Sequence, residues 1–142
     1  MSFVYDKARE AFLGVASGSI NWLNDTLKAQ LVSSSYVPSS GSHQYVDPSL
    51  SPHTSSVTPQ LLTGKTSTNG EAYASNVTFP TVPVGMVVDY VGIYKESGTP
   101  SQTQWQLVTL LDRTNISGLP LTGSGASVTI NFNSGLYKIF RL

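Results

Sequence analysis

The sequence predicts a mainly β fold, a single antiparallel β-sandwich or jelly-roll-like domain with a short N-terminal helix, on three observations. Apolar and polar residues alternate with period two through most of the chain beyond residue 60. Turn residues, among them Asn69-Gly70 and Ser134-Gly135, separate these runs at short intervals. Ser and Thr number 21 and 14, an abundance suited to turns and β-rich surfaces. At 142 residues the chain has the length of one domain with one core, so 1–142 is read as a single unit.

The first element, within residues 1–18, is the helix. Asp6 can cap it, Ala8, Ala11, Phe12 and Val15 recur at spacings of three and four, and Gly14 or Gly18 ends it. A bend at Asn24-Asp25 then leads into a strand, Leu27 to Val32, with Leu27, Ala29 and Leu31 on one face. Residues 33–60 change character: they are dense in Ser and Pro, hold both histidines, and carry Asp47 as their single full charge. Such a stretch is too long for an ordinary connection. It reads either as an extended arm laid along a neighbouring subunit or as a partly ordered surface loop, and in both readings it adds nothing to the core, so removing 34–58 is expected to leave a folded β domain.

Residues 61–142 form the main β region. Leu61 to Thr66 and Glu71 to Phe79 flank Asn69-Gly70, a dipeptide that accepts positive φ at both hairpin positions. Pro80 and Pro83 end the second run, since proline cannot donate to a ladder. Met86 to Lys95 is the most apolar run and predicts a central strand, with Gln104 to Leu111 as its mate. Ser127 to Phe132 and Leu136 to Phe140, joined by Asn133-Ser134-Gly135, close the fold. Seven or eight such strands suit a sandwich or small jelly roll.

Composition narrows the function. Eight Lys/Arg balance eight Asp/Glu, and they are scattered, which removes the concentrated positive charge that phosphate binding needs. No nucleic-acid partner is expected. The chain has no cysteine, so disulfides, thiolate metal sites and cysteine catalysis are excluded. The N-terminus has no basic segment followed by an apolar run, and the stretch from Met86 to Tyr94 is too short to span a bilayer. No membrane partner is expected, and synthesis and assembly are placed in the cytoplasm.

Apparent catalytic motifs dissolve on spacing. Gly64-Lys65-Thr66 matches the tail of a phosphate loop, but Pro59 stands where that motif needs its first glycine. His43 and His53 lie ten apart with no carboxylate cluster beside them, so they read as solvated loop residues and not as metal ligands. No Gly-x-Ser-x-Gly elbow exists for a serine nucleophile, and paired carboxylates are scarce. No catalytic residue, cofactor or metal is expected. Trp22, Tyr73, Tyr90, Tyr94, Trp105 and Tyr137 could stack sugars, yet their alternating positions favour core or subunit interface.

The order of features is informative as a whole. Lys7 to Gly14, Ile20-Asn21-Trp22-Leu23, Asp25 to Val32, Leu62 to Thr66, Gly70 to Ala74, Val77 to Phe79, Val91 to Lys95, Gly118 to Thr122 and Lys138 to Phe140 together resemble small structural proteins of tailed bacteriophages. The resemblance implies a virion component with no active site, most specifically a head decoration or cement protein on the capsid surface. Its implied partners are the major capsid protein and further copies of itself, as a homotrimer. Expected interface residues are Phe3, Tyr5 and Phe12 near the N-terminus and Tyr36, Tyr45, Val46 and Leu50 in the arm. A tail, collar or baseplate component, or a sugar-binding module for host attachment built on Trp22, Trp105 or Tyr73, are the alternatives.

Overall fold

A computed structural model describes residues 3–14, 19–97, 102–132 and 139–142, and within them the protein is mainly β with antiparallel pairing throughout. The central strand is β7 (Val87–Lys95), in the run that the sequence marks as most apolar. It pairs along its length with β2 (Leu27–Ser33), and on its other side with β8 (Gln106–Leu111) and then β9 (Leu121–Thr122). β1 (Phe3–Val4) and β3 (Gln60–Leu61) complete the large sheet, in the order β1-β8-β7-β2-β3.

Two small sheets take the remaining strands. β4 (Thr66–Thr68), β5 (Glu71–Tyr73) and β11 (Phe140–Arg141) form one, and β6 (Val77–Phe79) with β10 (Val128–Ile130) the other. The hairpin between β4 and β5 turns at Asn69 and Gly70, both with positive φ (52° and 79°), as the dipeptide predicts. The run from Glu71 to Phe79 is not one strand: it leaves the β4 hairpin after Tyr73 and joins β10 from Val77. The turn at Asn133-Ser134-Gly135 and the strand expected from Leu136 lie outside the described residues, except for β11 itself.

Gly70 is needed for two reasons. Its φ disfavours any Cβ, and a Cβ there would stand 2.9 Å from the Leu142 carbonyl oxygen. Gly70→Ala is therefore expected to destabilise by about 1–2 kcal/mol. Thermal unfolding against the wild type measures this.

The helix α1 spans Asp6–Phe12. Asp6 is its first residue; Tyr5 occupies the cap position and its side chain does not cap the helix, which corrects the expected Asp6 cap. The helix ends at Gly14, whose φ of 77° lets its N–H return to the Ala11 carbonyl. Ala8 and Ala11 are its buried face, and Phe12 packs on Phe140 of β11.

Between α1 and β2 the chain makes a pinned turn. The Asp25 carboxylate accepts the Asn21 N–H at 2.7 Å and pairs with Lys95 at 3.1 Å, and Lys95 also donates to the Ser19 carbonyl. Lys65 donates to the Asp25 carbonyl. The lysine of Gly64-Lys65-Thr66 thus anchors a turn; burial pushes its ammonium below the ordinary range, and Asp25 partly restores it. Inside this turn Trp22 is buried, with its indole N–H shared between the Thr66 and Tyr73 carbonyls.

The largest departure from expectation is residues 33–60. Across β2 and β7, Leu31 faces Val91 and Ala29 faces Ile93, so these four share one face of the sheet; Val32 with Tyr90 and Gln30 with Gly92 share the other. The 33–60 segment covers that second face. Leu50 sits over Gly92, with its Cδ2 3.1 Å from where a Cβ would project, Tyr36 packs edge-on against Tyr90, and Gln30 donates to the Val57 carbonyl. Tyr36, Val46, Leu50 and Val57 are all buried. The Ser/Pro-rich stretch contributes to the core of its own chain, because its few apolar side chains fall at the points where it crosses the sheet.

Candidate functional site

Where this segment folds over the sheet it leaves an open depression of about 730 Å³, lined by Ser35, Tyr36, His43, Tyr45, Ser49 and His53 among others. Its construction is local. Beyond β2, Ser34 donates to the Val87 carbonyl and Tyr36 to that of Ser33, which turns the chain back across the sheet. Residues 44–46 then attach to the start of β8: Leu107 donates to Gln44, Tyr45 bridges Gln106, and Val46 donates to Trp105. A single distorted helical turn at Val46–Leu50 and a 3-10 turn at Ser51–His53 return the chain towards Ser35.

Tyr36 is the hub. Its hydroxyl lies 2.8 Å from that of Tyr5 and 2.7 Å from His43 Nδ1. Both imidazoles pack on its ring with centroids 5.4 Å away. Burial pushes the Tyr5 phenol well above its ordinary range and raises that of Tyr36 as well, so both stay protonated at any physiological pH. Burial, and secondarily the neighbouring His53, hold His43 below the ordinary imidazole value.

His53 Nδ1 is 2.8 Å from Ser35 Oγ, which is 2.6 Å from Ser33 Oγ. A hydroxyl and an imidazole in contact are two parts of a nucleophilic triad. Among the described residues no carboxylate bonds to His53 to orient it, and no three of His, Cys, Asp or Glu gather to hold a metal ion. The arrangement orders the segment by hydrogen bonds.

The residues expected at an interface fall into two groups. Tyr5, Tyr36 (2% exposed), Val46 and Leu50 (0%) are inside the chain's own core. As folded they are covered by their own chain. Phe3, Phe12 and Tyr45 are half-buried and retain some. Phe3, Tyr5 and Tyr36 come together, through the edge-on Phe3–Tyr5 contact and the paired phenols; Phe12 lies apart, on β11. The sugar platform also loses a member: Trp22 is buried, and Trp105 stacks flat on Tyr94 at an interplanar angle of 5°.

Two features escaped sequence reasoning. One is the cluster of Ser35, His43 and His53 around Tyr36, which no spacing rule could reveal because the contacts depend on how the segment crosses the sheet. The other is an apolar corner at the beginning of β7, where Val84 (80% exposed) and Val87 (41%) stand free beside the two-residue strand β9. No family model, curated protein or solved structure matches this chain. No helix among the described residues is long and apolar enough to cross a membrane.

Proposed function

We propose that this chain is a structural component of a bacteriophage virion, a head decoration or cement protein that binds between capsomers of the major capsid protein, on the capsid surface, as a homotrimer. In this reading the two small sheets serve as the second layer of a sandwich, and the molecule acts through shape and shared surface. The observation that carries it is the free apolar surface on short loops and edges: Leu13, Leu23, Val37, Leu61, Val84, Val87 and Leu142 all project from the body. A subunit embedded in a lattice covers such side chains on assembly. Closed symmetry favours a trimer at threefold positions, and binding only to the assembled shell stabilises that shell by mass action.

Burial within the chain limits which of the expected residues this reading draws on. Contacts with neighbours fall to Phe3, Phe12, Tyr45 and the Val84–Val87 corner, while the 33–60 segment remains on its own sheet. The test is direct. Purified chain is expected to sediment as a trimer, to pellet with empty heads and to raise their melting temperature. Pelleting with tails alone overturns the head assignment, and a monomer that ignores both heads and tails overturns the virion reading.

A further inference from the structure

The 33–60 segment is tied to the sheet by a hydrogen-bond chain with room for a fixed number of protons. Tyr5 Oη, Tyr36 Oη and His43 Nδ1 stand in sequence, separated by 2.8 and 2.7 Å. Each of these two gaps accepts one hydrogen. With His43 neutral and its proton on Nε2, Tyr5 donates to Tyr36 and Tyr36 donates to Nδ1, so both gaps are filled. An imidazolium brings a third hydrogen to the same two gaps. The surplus must leave: the Tyr5 O–H turns into the apolar core, where Tyr36 is its one hydrogen-bond partner among the described residues, or the Tyr36 O–H turns out of the chain and gives up its acceptor, or His43 swings out and breaks its bond to Tyr36.

The surroundings add to this. His53 packs on the same phenol ring, so protonation of both imidazoles sets two positive charges across Tyr36. The other titratable or charged groups near the cluster are Tyr45 in the cavity wall, Tyr90 of β7 against the Tyr36 ring, Asp89 and Asp112 acting on Tyr90, and Asp6 of α1 beside Gly41. No carboxylate among them accepts a hydrogen bond from either imidazole to hold the charged form in place.

We propose that His43 is a pH-sensitive latch whose protonation releases residues 36–43 from Tyr5 and the rim of the sheet, while Val46, Leu50 and Val57 stay docked and the sheets stay paired. The inference does not rest on the virion reading. The direction of the His43 shift agrees with it: the docked imidazole sits below its ordinary value of 6.5, so the docked state binds a proton more weakly than the released state. Docking is at full strength above about pH 6.5 and weakens as pH falls towards the docked-state value, with the opening constant rising at most about tenfold per pH unit in that window.

Amide hydrogen exchange on the full chain, corrected for intrinsic rates, tests this between pH 7.5 and 5. Amides of 36–43 are expected to open at least about twofold more at the lower pH, while those of 46–57, β2, β7 and β8 hold their protection. His43→Gln, whose amide oxygen accepts from Tyr36 without titrating, should flatten the response. His53→Gln should keep it and move its midpoint upward, since the like charge is gone. A response absent from the wild type, retained in His43→Gln, or shared equally by β2 and β7 overturns the proposal. If His43→Gln does not fold, an NMR titration of His43 in the wild type decides: a midpoint below 6.5 that coincides with opening supports the latch, and one at or above 6.5 overturns it.

Discussion

Removing residues 34–58 is expected to abolish the cooperative fold, the reverse of what an appended arm would give. One reason is geometric. Ala29 of β2 lies opposite Gln60 of β3, and Ser33 is four residues further along, about 14 Å from Gln60 at strand spacing. Joining Ser33 to Pro59 leaves two Cα steps, which reach about 7 Å, so either β3 unpairs or β2 frays. The second reason is loss of cover. Tyr5 and Val32 are fully buried beneath or beside the segment and Tyr90 is half-buried against Tyr36. Each large side chain returned to water costs about 1.5–3 kcal/mol, against a total stability of about 5–15 kcal/mol for a domain.

A second variant separates the two causes. Replacing 34–58 by a short Gly/Ser linker relieves the closure but still bares the sheet face, and it is expected to bind a hydrophobic dye and to lose its near-ultraviolet dichroism. A linker variant that unfolds cooperatively at the wild-type temperature and binds no dye would show that the segment is dispensable to the core.

How far the sequence foretold this arrangement depends on where each contact is made. β7 and β8 were legible because a long apolar run flanked by turn residues is a local signal, and the Asn69-Gly70 hairpin because its backbone requirement belongs to two adjacent residues. The destination of Val77–Phe79 was not legible: its alternation continues that of Glu71–Tyr73, and only tertiary pairing sends it to β10. β1 was missed because two residues carry no period.

The candidate site was illegible for a related reason. Val46, Leu50 and Val57 are spaced irregularly among Ser and Pro, so the segment has no periodicity to register as buried, yet each fills one place over the sheet, as Leu50 does over the missing side chain of Gly92. A glycine in a central strand was the available hint, since it marks close approach by something else. His43 and His53 share Tyr36 although ten residues separate them, and no spacing rule for helices or strands brings such a pair together.

Trp22→Ala is expected to be the most damaging single substitution, at about 3–5 kcal/mol. The indole joins parts of the fold that no strand pairing among the described residues connects. Its turn leads into β2 of the large sheet, its N–H reaches the carbonyls of Thr66 and Tyr73, which are themselves paired across β4 and β5, and its ring meets Phe140 of β11 edge-on with centroids 5.2 Å apart. Alanine leaves a cavity at the junction and frees the small sheet to shift. With about 3–4 °C per kcal/mol for a domain of this size, the melting temperature should fall by about 10–20 °C. Trp22→Phe keeps most of the apolar area and loses the shared hydrogen bond, so it should cost only about 1–2 kcal/mol. Thermal unfolding of the two variants beside the wild type reads this ordering. If alanine and phenylalanine cost the same, the hydrogen bond rather than the packing holds the two sheets together, and if both cost less than about 1 kcal/mol, Trp22 is not the joint between them.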